Sequence, residues 1–418
     1  MKAFVIATLA LFASFSAVAE ESDPQALIKQ GEYLARAGDC VACHTAKGGK
    51  PFAGGLAMET PIGTIYSTNI TPDKNGIGTY SFEDFDKAVR HGVAQNGSTL
   101  YPAMPYPSYA RVNEADMRAL YAYFMKGVKP VEQANQDADI PWPLSMRWPL
   151  AIWRWLFAPA VEDFKPQAGQ DAVVNRGAYL VEGLGHCGAC HTPRALTMQE
   201  KALSASDSPA FLSGSAPLEG WIAKNLRGDH KDGLGSWSED QLVQFLKTGR
   251  SDRSAVFGGM SDVIVHSMQY MSDADLTAIA RYLKSLPAVN PADKPHQYDP
   301  AVADALWNGD DSKRGAAVYI DNCAACHRTD GHGYTRVFPA LAGNPVLQSD
   351  DPTSLIHIVL KGGTLPATHT APSTFTMPAF DWRLSDQEVA DVVNFIRTSW
   401  GNKAAEVKAG DVKAIRNL

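Results

Sequence analysis

Three stretches of the chain share one rhythm of apolar and polar positions. After Asn113-Glu-Ala-Asp116 the apolar side chains fall at Met117, Leu120, Tyr121 and Phe124. After Ser272-Asp-Ala-Asp275 they fall at Leu276, Ile279 and Leu283, and after Ser385-Asp-Gln-Glu388 at Val389, Val392, Val393 and Ile396. Steps of three and four residues place these side chains on one stripe of a helix. The Asn or Ser ahead of each stripe, with an acid three residues on, supplies acceptors for the free N–H groups of a first turn. Each stretch therefore predicts a capped amphipathic helix. An aromatic recurs at one offset in all three: Tyr123, Tyr282 and Phe395.

A first helix is expected well upstream of each closing helix. One follows Ser22-Asp23-Pro24 and runs through Gly31, Tyr33 and Leu34. The second contains Arg176-Gly177-Ala178-Tyr179-Leu180, and the third Arg314-Gly315 followed by Val318 and Tyr319. Each glycine would let the closing helix cross closely, with the recurrent aromatic beside it. A middle helix is also expected. Asn69-Ile-Thr-Pro-Asp73 and Gly76-Ile-Gly78 lead into the cap Ser81-Phe-Glu-Asp84, and Asn225-Leu-Arg-Gly-Asp229 and Gly233-Leu-Gly235 into Ser238-Glu-Asp-Gln241. Gly92 and Gly249 end these helices as left-handed caps. A third, shorter version runs from near Thr353 to Lys361 and stops at Gly362. Repetition on this scale predicts repeated domains, at 22–130, 173–286 and 309–402. They are separated by Pro-rich linkers at 131–172 and 287–308 and followed by a polar tail at 403–418.

Between the first and middle helices each repeat carries one pentapeptide: Cys40-Val-Ala-Cys43-His44, Cys187-Gly-Ala-Cys190-His191 and Cys323-Ala-Ala-Cys326-His327. The intervals are 147 and 136 residues, and the three motifs use all 6 cysteines of the chain. C-x-x-C-H is the attachment signature of a c-type haem: two thiols hold the porphyrin, and the adjacent His becomes the proximal iron ligand. The spacing predicts three covalently bound haem c groups. A shared structural zinc is the main alternative for C-x-x-C, and a disulfide or redox dithiol is another. Neither gives the repeated His a role.

The far side of each iron decides between a closed carrier and an open reactive centre. Met104 in Tyr101-Pro-Ala-Met-Pro-Tyr-Pro107, Met260 in Phe257-Gly-Gly-Met-Ser261 and Met377 in Phe375-Thr-Met-Pro-Ala379 each precede a closing helix. All three are expected in loops, where a methionine is less readily explained as core filler. Met58 lies near the first motif, and Met268 and Met271 compete with Met260. His91, His266, His357 and His369 are further candidates, set aside because every repeat offers a methionine. Tyr101, Tyr106 and Tyr109 are expected to wall the first pocket. Arg194, Arg328 and Lys47 follow the motifs, as propionate partners or as solvated surface. Pro339 is placed to offer its carbonyl to Nδ1 of His327, which would fix the ring. No catalytic residue is assigned.

The N-terminus reads as an export signal. Lys2 precedes an apolar run from Ala3 to Phe15, and Ala17-Val18-Ala19 is a small-residue cleavage pattern, so residues 1–19 are expected to be removed. Haem attachment outside the cytoplasm agrees with this. The formal net charge of −7 argues against a nucleic-acid partner. No later stretch approaches eighteen uninterrupted apolar residues.

Beyond these readings, the chain resembles the triheme cytochrome c subunits of membrane-associated bacterial dehydrogenases, of the gluconate 2-dehydrogenase type, with alcohol, sorbitol and fructose dehydrogenase subunits as relatives. The likeness covers nearly the whole chain after the leader. It is most specific at Gly31-Glu-Tyr-Leu-Ala-Arg-Ala-Gly-Asp-Cys40, Gly63-Thr-Ile-Tyr-Ser-Thr-Asn-Ile-Thr71, Leu100-Tyr-Pro-Ala-Met-Pro-Tyr-Pro107 and the Cys323 motif. The resemblance implies an all-α chain of three tandem class I cytochrome c domains. It implies an electron carrier, not itself an enzyme, that takes electrons from a flavin- or quinone-dependent catalytic subunit. The acceptor would be ubiquinone, and the location the periplasmic face of the inner membrane. A multihaem enzyme of peroxidase or sulfur-oxidising type, with one open haem, is the alternative. The polar residues after Trp400 leave the membrane contact unassigned. Met146–Phe157, mostly apolar with Arg147 and Arg154 on one stripe, is read either as an interfacial helix or as a linker packed on its own domains or the catalytic partner.

Overall fold

The computed structural model describes residues 23–417; the leader expected at residues 1–19 lies outside them. The first segment comprises α1 (Pro24–Ala37), α2 (Cys40–Cys43), the hairpin β1 (Ala57–Thr60) and β2 (Gly63–Tyr66), α3 (Phe82–His91), α4 (Tyr106–Tyr109) and α5 (Glu114–Ala122), which runs into a π-turn at Tyr123–Gly127. After α6 (Trp148–Phe157), the second segment comprises α7 (Ala172–Glu182), α8 (Gly188–His191), β3 (Pro217–Leu218), β4 (Trp221–Ile222), α9 (Glu239–Thr248), α10 (Gly259–His266) and α11 (Asp273–Ser285). The third comprises α12 (Ala301–Trp307), α13 (Ala316–Asn322), α14 (Ala324–His327), α15 (Pro345–Gln348), α16 (Thr353–Lys361), β5 (Gly363–Thr364), β6 (Thr376–Met377), α17 (Asp386–Arg397) and α18 (Ala409–Arg416).

Helices are thus the main regular structure of the described residues, but the chain is not all-α. Three antiparallel hairpins pair β1 with β2, β3 with β4 and β5 with β6. Turn chemistry makes the first two. Gly63 sits at φ 131°, and Glu219 and Gly220 both have positive φ, as a tight hairpin turn requires. The two-residue strands of the other pairs are too short to show a period of two in the sequence.

Local signals set the helix ends. Ser81, Ser238 and Ser385 form reciprocal capping boxes with Asp84, Gln241 and Glu388. Gly92 and Gly249 are left-handed C-caps, at φ 65° and 75°. Asn113 departs from expectation: its side chain accepts from the N–H of Phe164, at 3.0 Å, and not from α5.

Three apolar cores follow. The first gathers Leu34, Phe85, Met117, Leu120 and Phe124, the second Leu180, Leu242, Leu276, Ile279 and Leu283, and the third Tyr319, Leu355, Val359, Val393 and Ile396. In each, the first helix meets the closing helix at a glycine. A Cβ on Gly31 would lie 1.9 Å from the Ala119 carbonyl oxygen and 2.7 Å from Cβ of Tyr123. For Gly177 the partners are Ala278 and Tyr282, and for Gly315 they are Asp391 and Phe395. The expected crossing beside the recurrent aromatic is therefore present three times. Gly315 differs in one respect: it stands at φ 85° immediately before α13, so that helix starts later than expected.

The end of the chain is not a simple polar tail. Val407, Val412 and Ile415 are buried in the third core, and Arg416 binds Asp386 at 2.7 Å. The spacing of Val412 and Ile415 is helical, but two apolar residues give too weak a stripe to detect among charges. In the second linker, Leu306 of α12 likewise joins the third core.

Candidate haem centres

Each Cys-x-x-Cys-His motif is a single helical turn placed just after a first helix. The histidine rings are held alike. Nδ1 of His44 lies 2.7 Å from the Thr68 carbonyl oxygen, Nδ1 of His191 2.7 Å from that of Lys224, and Nδ1 of His327 3.0 Å from that of Pro339. A carbonyl oxygen only accepts, so Nδ1 carries the proton and Nε2 keeps its lone pair. Burial lowers the pKa of all three imidazoles, which favours the neutral form a metal requires.

The sequence pointed to the Pro339 carbonyl but missed the other two. A signal was there: Thr68 and Lys224 stand immediately before Asn69 and Asn225 in the repeated stretches. Oδ1 of Asn69 accepts from the Thr71 N–H at 2.9 Å, and Oδ1 of Asn225 from the Arg227 N–H at 2.8 Å. These Asx turns fix the backbone that presents each carbonyl.

Burial pushes Cys40, Cys187 and Cys323 each up to about 12 and Cys43 up to about 11. The two cysteines of each motif stand one helical turn apart, as attachment to a porphyrin needs. The donor set therefore fits haem c: a neutral imidazole with a fixed proton, two thiols one turn apart, and an apolar core alongside. In the second core the indole N–H of Trp237 is buried without a protein acceptor, a donor suited to a carboxylate such as a haem propionate.

Met104, Met260 and Met377 are each partly buried against the core that takes Cys40, Cys187 and Cys323 respectively. Met104 lies in a loop between Pro102 and Pro105. Met377 ends β6, paired with Gly363. Met260 is the second residue of α10 and not in a loop. Helix-starting Gly258 and Gly259 hid this, since glycine there reads as loop. Its competitors Met268 and Met271 are 5 % and 4 % exposed among core side chains. Met58 lies on β1 opposite Ile65.

Three of the four other candidate histidines are engaged elsewhere. His91 lies 3.8 Å from Asp86, His357 packs on Trp221 with centroids 4.8 Å apart, and His369 packs edge-on to Tyr270. Tyr109 lies close to the first motif: its hydroxyl is 3.4 Å from the Gly38 carbonyl oxygen. Tyr106 is fully buried, while Tyr101 lies under the Arg147 guanidinium at 4.1 Å. Arg194 binds carbonyls of Met198 and Ala189, both at 2.7 Å, and Arg328 binds Asp330 at 2.6 Å. Lys47 is exposed.

The first and second centres abut. His186, one residue before Cys187, places Nε2 3.4 Å from the Gly38 carbonyl oxygen and its ring 5.7 Å from Tyr109. Tyr33 of α1 donates to Asp275 of α11 at 2.6 Å, and Arg176 meets the same carboxylate twice at 2.8 Å. The second and third centres also touch. Phe257 stacks on Trp221 at 5.9 Å, and a Cβ on Gly363 would lie 2.7 Å from the Phe257 ring. Arg250 donates to the Ala371 and Ser373 carbonyls at 2.9 and 2.8 Å.

The profile of the cytochrome c family matches residues 28–127 and 312–400. The gluconate 2-dehydrogenase cytochrome c subunit of Pantoea cypripedii is 66 % identical, over 99 % of this chain and 94 % of its own length. The cytochrome c subunit of a quinone alcohol dehydrogenase from Gluconobacter oxydans (strain 621H) is 54 % identical, over 96 % of this chain and 85 % of its own. A fructose dehydrogenase cytochrome subunit from Gluconobacter japonicus is 38 % identical, over 100 % of this chain and 89 % of its own.

Proposed function

The chain belongs to the cytochrome c family, within the group of dehydrogenase cytochrome c subunits, and on that premise we propose that it carries electrons out of a sugar or alcohol dehydrogenase through three haem c groups. Family membership brings covalently bound haem c; the count of three is our reading. It rests on one observation above all: the carbonyl-bound His and the partly buried Met recur three times around three Cys pairs.

In this reading Cys40 and Cys43, Cys187 and Cys190, and Cys323 and Cys326 hold the porphyrins. His44, His191 and His327 would each offer a nitrogen to the iron, and Met104, Met260 and Met377 a sulfur. Bound haem contributes the one-electron iron couple. The protein contributes the rest. Thr68, Lys224 and Pro339 fix the imidazole protons and raise ring basicity, while methionine sulfur favours the reduced iron and so a higher potential. A methionine ligand at each iron would leave no open position for substrate, which suits a carrier and not a peroxidase-type enzyme. The packing of the first centre on the second, and of the second on the third, supports one continuous path.

The partner is a dehydrogenase catalytic subunit, as the names of the relatives suggest; our reading makes it flavin- or quinone-dependent, with ubiquinone as the acceptor. The expected leader supports a periplasmic location, peripheral to the inner membrane. The test is purification of the native complex followed by a sugar and alcohol screen. A substrate should reduce the haems of the complex, read from their absorbance bands, but not those of this subunit alone. Reduction of the isolated subunit by substrate would overturn the reading.

A further inference from the structure

We infer that α6, with the segments on either side of it, seats the protein on a lipid surface through an uncharged tryptophan-bearing face. The inference rests on the peripheral membrane location proposed above and names the surface responsible.

The helix has two unlike sides. One is docked. The Trp153 ring meets Tyr106 edge-on at 6.4 Å and Phe157 at 5.5 Å, and its N–H donates to the Thr197 carbonyl at 2.7 Å. The two cations of the helix region are turned to this side as well. Arg147 donates to the Thr99 carbonyl and covers Tyr101, and Arg154 donates to the His91 carbonyl at 3.4 Å. The other side is bare. Trp148 is 62 %, Trp155 80 % and Leu156 56 % exposed, with Ile152 beside them. Trp142, Leu144 and Met146 continue this apolar exposure before the helix. Leu196, 99 % exposed, neighbours the Thr197 carbonyl that Trp153 holds.

The chemistry of this face selects the occupant. Every side chain just named is apolar or an indole, and none carries a charge. Both nearby guanidiniums are committed inward. Apolar area with indole N–H groups at its edge matches the boundary between acyl chains and headgroups. Among the described residues no helix is long and apolar enough to cross a membrane, so a contact of this kind lies in the interface. The docked side also explains the geometry: Trp153 and Phe157 form one wall of a cleft whose other lining includes Pro102 and Pro105, flanking Met104, and Ala189 of the second motif. Lipid under α6 would thus hold the first two centres at the bilayer.

The experiment is flotation of the full haem-loaded chain with vesicles of phosphatidylethanolamine and phosphatidylglycerol. Trp148→Glu/Trp155→Glu should lower partitioning about a hundredfold or more. Trp307→Glu, which alters an exposed tryptophan elsewhere (83 %), should float like wild type. A second measurement does not rest on the charged variants: brominated acyl chains should quench the tryptophan fluorescence of wild type, and the conservative changes Trp148→Phe and Trp155→Phe should each remove part of that quenching. Unchanged flotation of the double variant, or no flotation of wild type, overturns the inference. So does loss of the co-purifying catalytic subunit with vesicle binding retained, which would make the face a protein interface. Haem content and substrate-driven reduction, read on the same samples, test the carrier role separately.

Discussion

Gly177 lies directly beneath the Ala278 carbonyl, so closely that a Cβ on the glycine would stand 2.0 Å from that oxygen. The same contact joins Gly31 to Ala119 and Gly315 to Asp391. Real side chains do not approach backbone in this way, so the two helices must part to admit one. Gly177→Val should lower stability by about 3 kcal/mol, seen as a shift in guanidinium midpoint. Gly410→Ala makes the contrast. That glycine lies inside α18 with open space around it, and the change should be neutral or stabilise by roughly 0.5 kcal/mol.

Met260 and Met268 should respond differently to removal. Met260→Ala should move one of the reduction potentials to a lower value and leave the fold intact. Met268, buried in the second core, should instead cost about 3 kcal/mol on change to Ala and leave every potential in place. Potentiometric titration beside thermal unfolding separates the two effects. If Met260→Ala leaves all potentials unchanged, the ligand is Met268 or Met271.

Asn225 should act on its centre without touching the ring. Its Oδ1 fixes the turn after Lys224, whose carbonyl takes the His191 proton. Asn225→Ala should loosen that bond, reduce the basicity of the imidazole and raise one potential. Asn69→Ala should raise a different one. A shared shift in all three would show a general unfolding and not a local loss.

Asp275 links acid stability to the junction of the first and second segments. Burial acts to raise its pKa, but hydrogen bonds from Arg176 and Tyr33 outweigh that and hold it below the usual carboxylate value. A depressed folded pKa means that the stabilisation is complete above the unfolded value of about 3.9 and is lost as pH falls through the folded one. Asp275→Asn should cost about 2 kcal/mol at pH 7. Below about pH 4 the gap from wild type should narrow. A gap constant down to pH 2.5, followed by circular dichroism, would contradict this assignment.

Much of this was readable in the residues. Caps such as Ser238 with Gln241 follow from short-range chemistry that one sequence displays fully, and the Gly31 and Gly177 crossings show because a glycine and an aromatic recur in each repeat. What escaped it depends on long-range pairing or on backbone atoms. The Thr68 and Lys224 carbonyls carry no side-chain signature. The β5 strand meets β6 across an eleven-residue loop with only two residues each. Met260 was legible as a candidate, but its helix begins at two glycines that disfavour one. At α6 the sequence showed two arginines on a stripe, and only the fold reveals that this stripe faces inward.

The count and ligation of the haems test the central claim most directly. Pyridine haemochrome analysis of the purified chain, paired with near-infrared magnetic circular dichroism, should give three haems per chain, all low-spin with the sulfur-to-iron band of His/Met ligation. Two haems, or one centre that is high-spin or bis-histidine, would contradict the account.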